Sequence, residues 1–404
     1  MLFVIIINYQ NRRKAITDDW QRRWRAYKDN VKRLPTLTKT LLLASFALGL
    51  FFIGSVIYLR IQQKQSAAES FFQESVKQIK QKKDSIEASL IYKNEALAAG
   101  ELSSAKELLA KLNCAPKEHK NDCDNLTKSL RELTIRIQKI TDVNAELLVD
   151  WSSVASGAFP QEMIKLKSKL IAVSATSSNL LAYDLLTKET KVISTYPTIS
   201  GFSEGTVPKE NDYALLAFSN RSLLQLNPGD NSVKLLEISY PNENVNIQGN
   251  IVYSRYLYSL DTQNNLIYKH DAIKDGFGRG KEWNKDGKSS IKGAVDIAID
   301  GDVFILSDNG QISKFTSGFV QPFSIQGLDP ALTNGGKIWT YNDVDNIYVL
   351  DPTGKRLIVL TKEGKLVKQI TSNQFKKPTA FVIDTPNNVA YVVDGTRLFK
   401  VELK

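Results

Sequence analysis

Beyond about residue 160 the apolar positions of this chain come in short alternating runs broken by turn residues, the pattern of β-strands rather than helices. The stretch NIYVLDPTGKRLIVLTKEGKLVKQI (346–370) holds three such runs, separated by Pro352-Thr353-Gly354 and Lys362-Glu363-Gly364. A meander of this length is marginal alone and must pack on something. The unit recurs at 169–193, 213–238, 256–271, 302–318 and 388–404. Its turns, anchored on Ser174, Ser219, Asp261, Asp308, Asp351 and Asp394, are spaced 45, 42, 47, 43 and 43 residues apart. A further apolar run precedes several units: AVDIAID (294–300), KIWTYND (337–343) and TAFVID (379–384). Four strands repeating with a period near 43 predict a six-bladed β-propeller. An open array, or a five-bladed ring with spare strands, is the alternative. The last unit stops one strand short, and propellers remove unpaired edges by closing the ring. AELLVDW (145–151) has the length to fill that edge from the N-terminal side.

The N-terminal part has a helical period, so the fold class expected is mainly β with an α-helical N-terminal part. TLLLASFALGLFFIGSVIYL (40–59) is twenty residues without a charge, enough for a helix to cross a hydrocarbon core of about 30 Å. In TDDWQRRWRAYKDNVKRLP (17–35), Trp20, Trp24, Tyr27, Val31 and Leu34 line one helical face, with Arg22, Arg23 and Arg25 on the others. A basic amphipathic helix beside a membrane reads as lying on anionic lipid, and docking on a cytoplasmic partner is the alternative. After the membrane segment, Phe72, Val76, Ile79, Ile86 and Leu90 follow a heptad that Lys83 interrupts. NEALAAGELSSAKELLAKLN (94–113) resembles one tetratricopeptide-like helical hairpin with its turn at Gly100, and a last helix carries Leu126, Leu130, Leu133, Ile137 and Ile140. The expected organisation is a basic cytoplasmic arm (1–39), a transmembrane helix (40–59), a helical stalk (60–142) and a propeller (143–404). The stalk also fits a homo-oligomerising coil.

Charge sharpens this order. The formal net charge is +10, and residues 1–39 supply +7 of it, with ten Lys and Arg against three Asp. The propeller is therefore not a strongly basic nucleic-acid binder. Basic residues stay on the cytoplasmic side, which puts the N-terminus inside and the propeller outside, in a single-pass cell-membrane protein. A cleaved signal peptide would have a shorter apolar region and a small-residue cleavage site. Cys114 and Cys123, in CAPKEHKNDC, both lie beyond the membrane segment and can pair if that side is oxidising. His119 between them suggests zinc, but three candidate ligands in one loop make a poor structural site. Two free thiols are the other alternative.

No catalytic motif stands out: the chain has two histidines and lacks a nucleophile elbow, a P-loop and an H-E-x-x-H. No catalytic residue, metal ligand or cofactor is therefore assigned. Asp343-Val344-Asp345 reads as a β-turn, since calcium takes six to eight oxygens. The aspartates repeating at blade spacing read as turn formers. One segment breaks the period: KDGFGRGKEWNKDGK (274–288), where Arg279, Lys281 and Trp283 are of the types found in binding hot spots. It is expected to cover one mouth of the ring and contact a ligand, or else to be a decorated blade connection.

The motifs IYVLD (347–351) and AYVVD (390–394) resemble those of NHL-type six-bladed propellers, which implies a binding platform. The order of anchor, stalk and propeller, with GFGRGKEW (276–283) and IYVLDPTGKRLIVL (347–360), resembles the C-terminal, non-catalytic half of some bacterial membrane-anchored PPM-type phosphatases. That resemblance implies a sensory role without the enzyme, and no phosphatase residue carries over. The expected function is an extracytoplasmic binding module for an envelope protein, peptide or glycan. A metal-dependent propeller hydrolase or lyase is the enzymatic alternative.

Overall fold

The computed structural model describes residues 35–403, apart from 197, 200 and 287–289. The amphipathic arm with Trp20, Trp24, Arg22, Arg23 and Arg25 lies outside the described residues. Among the described residues three helices come first: α1 (Thr36–Ile91), α2 (Glu95–Ala110) and α3 (Lys117–Ile137). The uncharged stretch lies within α1, the one helix among the described residues long and apolar enough to cross a membrane, and none of that stretch is buried. α1 ends where Lys93 takes a positive φ of 57°, and the Asn94 side chain then caps α2 by accepting from the Leu97 amide at 3.2 Å. The turn expected at Gly100 is absent, because Gly100 lies inside α2. One glycine weakens a helix by about 1 kcal/mol, too little to stop one among alanine, leucine and glutamate.

The described chain divides into two compact units. The first takes the chain up to Gln81 together with Glu107–Cys123. Within it Cys114 and Cys123 form a disulfide with Cα atoms 6.0 Å apart. His119 stacks on Phe72 with ring centroids 3.6 Å apart. Its Nε2 donates to Glu69 at 2.8 Å and its Nδ1 lies 3.0 Å from the Asn113 carbonyl. Two acceptors favour the doubly protonated ring, so the bond to Glu69 raises the His119 pKa despite partial burial.

The second unit, Lys82–Lys106 with Asp124 onward, contains a six-bladed β-propeller. From inner to outer strand, blade one is Glu162–Leu166, Lys169–Ser174, Ser177–Asp184 and Thr190–Ile193. Blade two is Glu204–Thr206, Ala214–Ser219, Ser222–Leu226 and Val233–Glu237. Blade three begins with Ile247–Tyr253, Tyr256–Asp261 and Leu266–Ile273, and blade four is Ala294–Ile299, Val303–Ser307, Ile312–Thr316 and Phe319–Gln321. Blade five is Lys337–Trp339, Asn346–Asp351, Arg356–Thr361 and Leu366–Thr371, edged by the parallel strand Ile140–Asp142. Blade six is Pro378–Asp384, Val389–Asp394 and Arg397–Glu402, and its outer strand is Glu146–Asp150. The inner strand of blade six packs against that of blade one, which closes the ring.

Period-two alternation builds the core. In blade one, Ile171 and Val173 face blade two, while Leu170 and Ala172 face blade six. The same division at each blade gives six apolar clusters, one between every pair of neighbours. The recurring aspartates hold turns. Asp261 accepts from the amides of Asn246 at 2.9 Å and Gln263 at 3.0 Å, and Asp351 accepts from Gly354 at 2.7 Å.

Candidate ligand site at the propeller axis

The ring leaves a cavity of about 360 Å³ whose lining includes residues from all six inner strands. These strands approach closely where they have no side chain. A Cβ on Gly205 would meet Ile164 at 2.6 Å, and one on Gly249 would meet Ile297 at 2.7 Å. Around these glycines the inner strands turn charged groups inward. Glu162, Glu204 and Lys337 are the first residues of the inner strands of blades one, two and five. Asp296 follows a register shift in the inner strand of blade four.

Lys337 bridges the ring: its Nζ donates to Glu162 at 2.5 Å and to Glu204 at 2.8 Å. Asp296 is held instead by the backbone, with its oxygens accepting from the amides of Ile297 at 3.0 Å and Ile338 at 2.7 Å. Three carboxylates thus surround one ammonium away from bulk water. Desolvation pushes the Asp296 carboxyl up to about 6 against the pull of Lys337, with the charge of Glu162 adding to the rise. Desolvation raises Glu204 well above the usual range too. Burial alone would lower the Lys337 pKa, but the charges of Glu162, Glu204 and Asp296 together outweigh it and hold the ammonium protonated.

The lining extends to the turns between the first two strands of blades two, five and six. There Lys209 pairs with Asp343 at 3.2 Å, both half exposed, and lies 5.8 Å from the centre of the Tyr341 ring. Asp384, 2% exposed, also lines the cavity. Its Oδ2 receives Asn387 at 3.0 Å and faces Lys165 at 3.6 Å, while its Oδ1 has no partner. Asn250 connects this lining to a buried network in blade three. It accepts from Ser259 at 2.8 Å, and Ser259 lies 3.3 Å from His270 Nε2. Ser259 and His270 are both 0% exposed, so no substrate reaches that pair in this structure.

The described part of the segment 274–288 does not line the axial cavity. Gly276–Phe277 and Lys281–Glu282 pair with Leu266–Ile273 as the outer edge of blade three. Gly280 permits this course, since a Cβ there would meet the His270 ring at 2.7 Å. Arg279 donates to the Pro241 carbonyl at 3.3 Å, and Lys281 pairs with Asp271 at 2.6 Å. Trp283 packs edge-on against Tyr258 with centroids 5.9 Å apart. None of the three lines the axial cavity. The charged axial residues were missed by the sequence reading, although a signal was present. Asp296 and Lys337 stand in AVDIAID and KIWTYND, runs already read as the first strands of their blades, and a charge within such an apolar run marks a polar surface facing it.

No protein-family model matches the chain, and no curated protein matches it in sequence. Solved structures with a similar fold include that of U3-55K, at 7% identity and a TM-score of 0.47, covering 64% of this chain and 98% of that one. The WD40 repeats of RRP9 give 8% identity and a TM-score of 0.47, covering 65% and 98%. An auxiliary nutrient binding protein from Bacteroides thetaiotaomicron gives 13% identity and a TM-score of 0.44, covering 60% and 68%. At such low overlap these likenesses carry no functional argument. The fold itself defines the class: a six-bladed β-propeller with a helical N-terminal part.

Proposed function

We propose that this chain is a membrane-anchored binding protein that presents its propeller outside the cytoplasm. The observation that carries the reading is a closed ring with a cavity of about 360 Å³ at its axis, within the size range of small-ligand sites. Anchoring is supported by the uncharged, unburied stretch in α1. The basic arm before it supports a cytoplasmic N-terminus, and the Cys114–Cys123 disulfide beyond it fits an oxidising compartment. Trp20, Trp24, Arg22, Arg23 and Arg25 would rest on membrane lipid. The partner is an envelope protein, peptide or glycan, and neither catalysis nor nucleic-acid binding is proposed. The likeness in layout to the non-catalytic half of PPM-type phosphatases supports a sensory version of the same role.

Protease treatment of intact cells or spheroplasts, combined with thiol labelling of Cys114 and Cys123, tests this reading. External cleavage of the propeller with blocked thiols is expected. Protection of the propeller with freely labelled thiols overturns the anchor and its orientation.

A further inference from the structure

We infer that the axial cavity is a receptor site for a small organic cation, an alkylammonium or guanidinium group, either free or carried on a partner's lysine or arginine side chain. The inference rests on the binding role proposed above and names its ligand class. Its first support is charge. The cavity is lined by the carboxylates of Glu162, Glu204, Asp296, Asp343 and Asp384 and by only three ammonium groups, those of Lys165, Lys209 and Lys337. The formal excess is two negative charges, in a chain whose net charge is +10. The charge is local, and burial, reinforced by the neighbouring carboxylates, opposes the ionisation of Glu204 and Asp296 although Lys337 favours it.

The second support is an unmet acceptor. Asp384 Oδ1 is buried at the same cavity with no hydrogen-bond donor, and a buried unsatisfied acceptor is rare in folded proteins. A donor-only cation supplies what both observations lack. The third is aromatic: Trp339 and Tyr341 are among the lining residues, and Tyr341 already has one ammonium, that of Lys209, 5.8 Å from its ring centre. Among the described residues no three His, Cys, Asp or Glu side chains converge as metal ligands, which favours an organic cation over a bare ion. Lys337 already plays the part internally, as an ammonium between two carboxylates, whereas Asp296 receives only backbone amides and Asp384 keeps one oxygen without a donor.

The test uses the full chain in phosphatidylcholine nanodiscs, which offer no anionic lipid to bind amines. Putrescine and the tripeptide acetyl-Gly-Lys-Gly-amide are titrated by calorimetry. Saturable binding is expected, stronger at pH 7.5 than at pH 5, because protons on Asp296, faced by Lys337, Glu162 and Glu204, compete with the cation. Asp296→Asn and Asp384→Asn should each weaken binding about tenfold, the loss of one charge-assisted contact. Circular dichroism checks the fold of each variant, and Glu204→Gln replaces either that does not fold. Binding of putrescine assigns a free amine, and binding of the tripeptide alone assigns a side chain of a partner. Absence of binding by the folded wild type, or equal binding by the folded variants, overturns the inference. Protease accessibility is read separately, so an external propeller that binds no cation leaves the membrane-anchored reading standing.

Discussion

Two cations of blade five, Arg356 and Lys337, sit in buried polar clusters that differ in one respect. Arg356, 4% exposed, has its guanidinium fully engaged. Its Nε donates to Asp351 at 2.8 Å, its Nη1 to Gln369, and its Nη2 to the Pro330 carbonyl at 2.7 Å. Gln369 in turn donates to the Gln138 carbonyl at 2.8 Å, which fastens the residue leading into the edge strand Ile140–Asp142. One charge meets one charge, and the remaining bonds go to fixed amides and carbonyls. Around Lys337 three carboxylates meet one ammonium and open into a cavity. A neutral, saturated cluster does structural duty, whereas a cluster with surplus charge beside open space is poised to receive something.

The largest effect expected from breaking this contrast is at the saturated cluster. Arg356→Met strands Asp351 in the interior and should lower unfolding stability by about 3–5 kcal/mol in a denaturant titration. Arg356→Lys should not restore it, since lysine lacks the planar fork. Lys337→Met should cost about 3 kcal/mol at pH 7.5 by the same logic. Its deficit should shrink at pH 5, where Asp296 takes up a proton.

A smaller effect separates the axial cluster from the His270 network by the direction of its pH response. The folded Asp296 pKa, about 6, stands above its ordinary 3.8. The folded state therefore holds a proton that the unfolded state has released between those values, and this contribution to stability falls as pH rises from about 4 to 6. Desolvation depresses the His270 pKa below 6.5, although the Gly278 carbonyl opposes the shift. Its contribution is present above 6.5 and is lost as pH falls through the folded value. Thermal midpoints across pH 4–8 should lose the first trend in Asp296→Asn and the second in His270→Asn. The smallest effect is at the surface: Lys281→Ala, breaking an exposed pair with Asp271, should leave the unfolding midpoint unchanged.

The blade count was legible because six turns recur at a near-constant spacing, and strand alternation encodes which side faces which neighbour. Local signals served less well. Gly100 looked like a helix stop, but the break lies at Lys93, where only backbone conformation distinguishes one lysine from the others. The segment 274–288 looked like a covering loop because it breaks the blade period, yet Gly276–Phe277 and Lys281–Glu282 within it pair along the blade edge. The axial site was hidden for a different reason. Its members are 42, 92 and 41 residues apart from Glu162 to Glu204, Asp296 and Lys337, and only ring closure makes them neighbours.

The strand Glu146–Asp150 has a consequence for the order of events during synthesis. It leaves the ribosome before any other strand of blade six, yet its partner Arg397–Glu402 emerges some 250 residues later. Until then the first-made strand has an empty edge, and blades one to five can assemble only as an open arc. A propeller that lacks the strand Arg397–Glu402 would thus leave Glu146–Asp150 with an unpaired edge, the kind of surface on which another chain can add a strand.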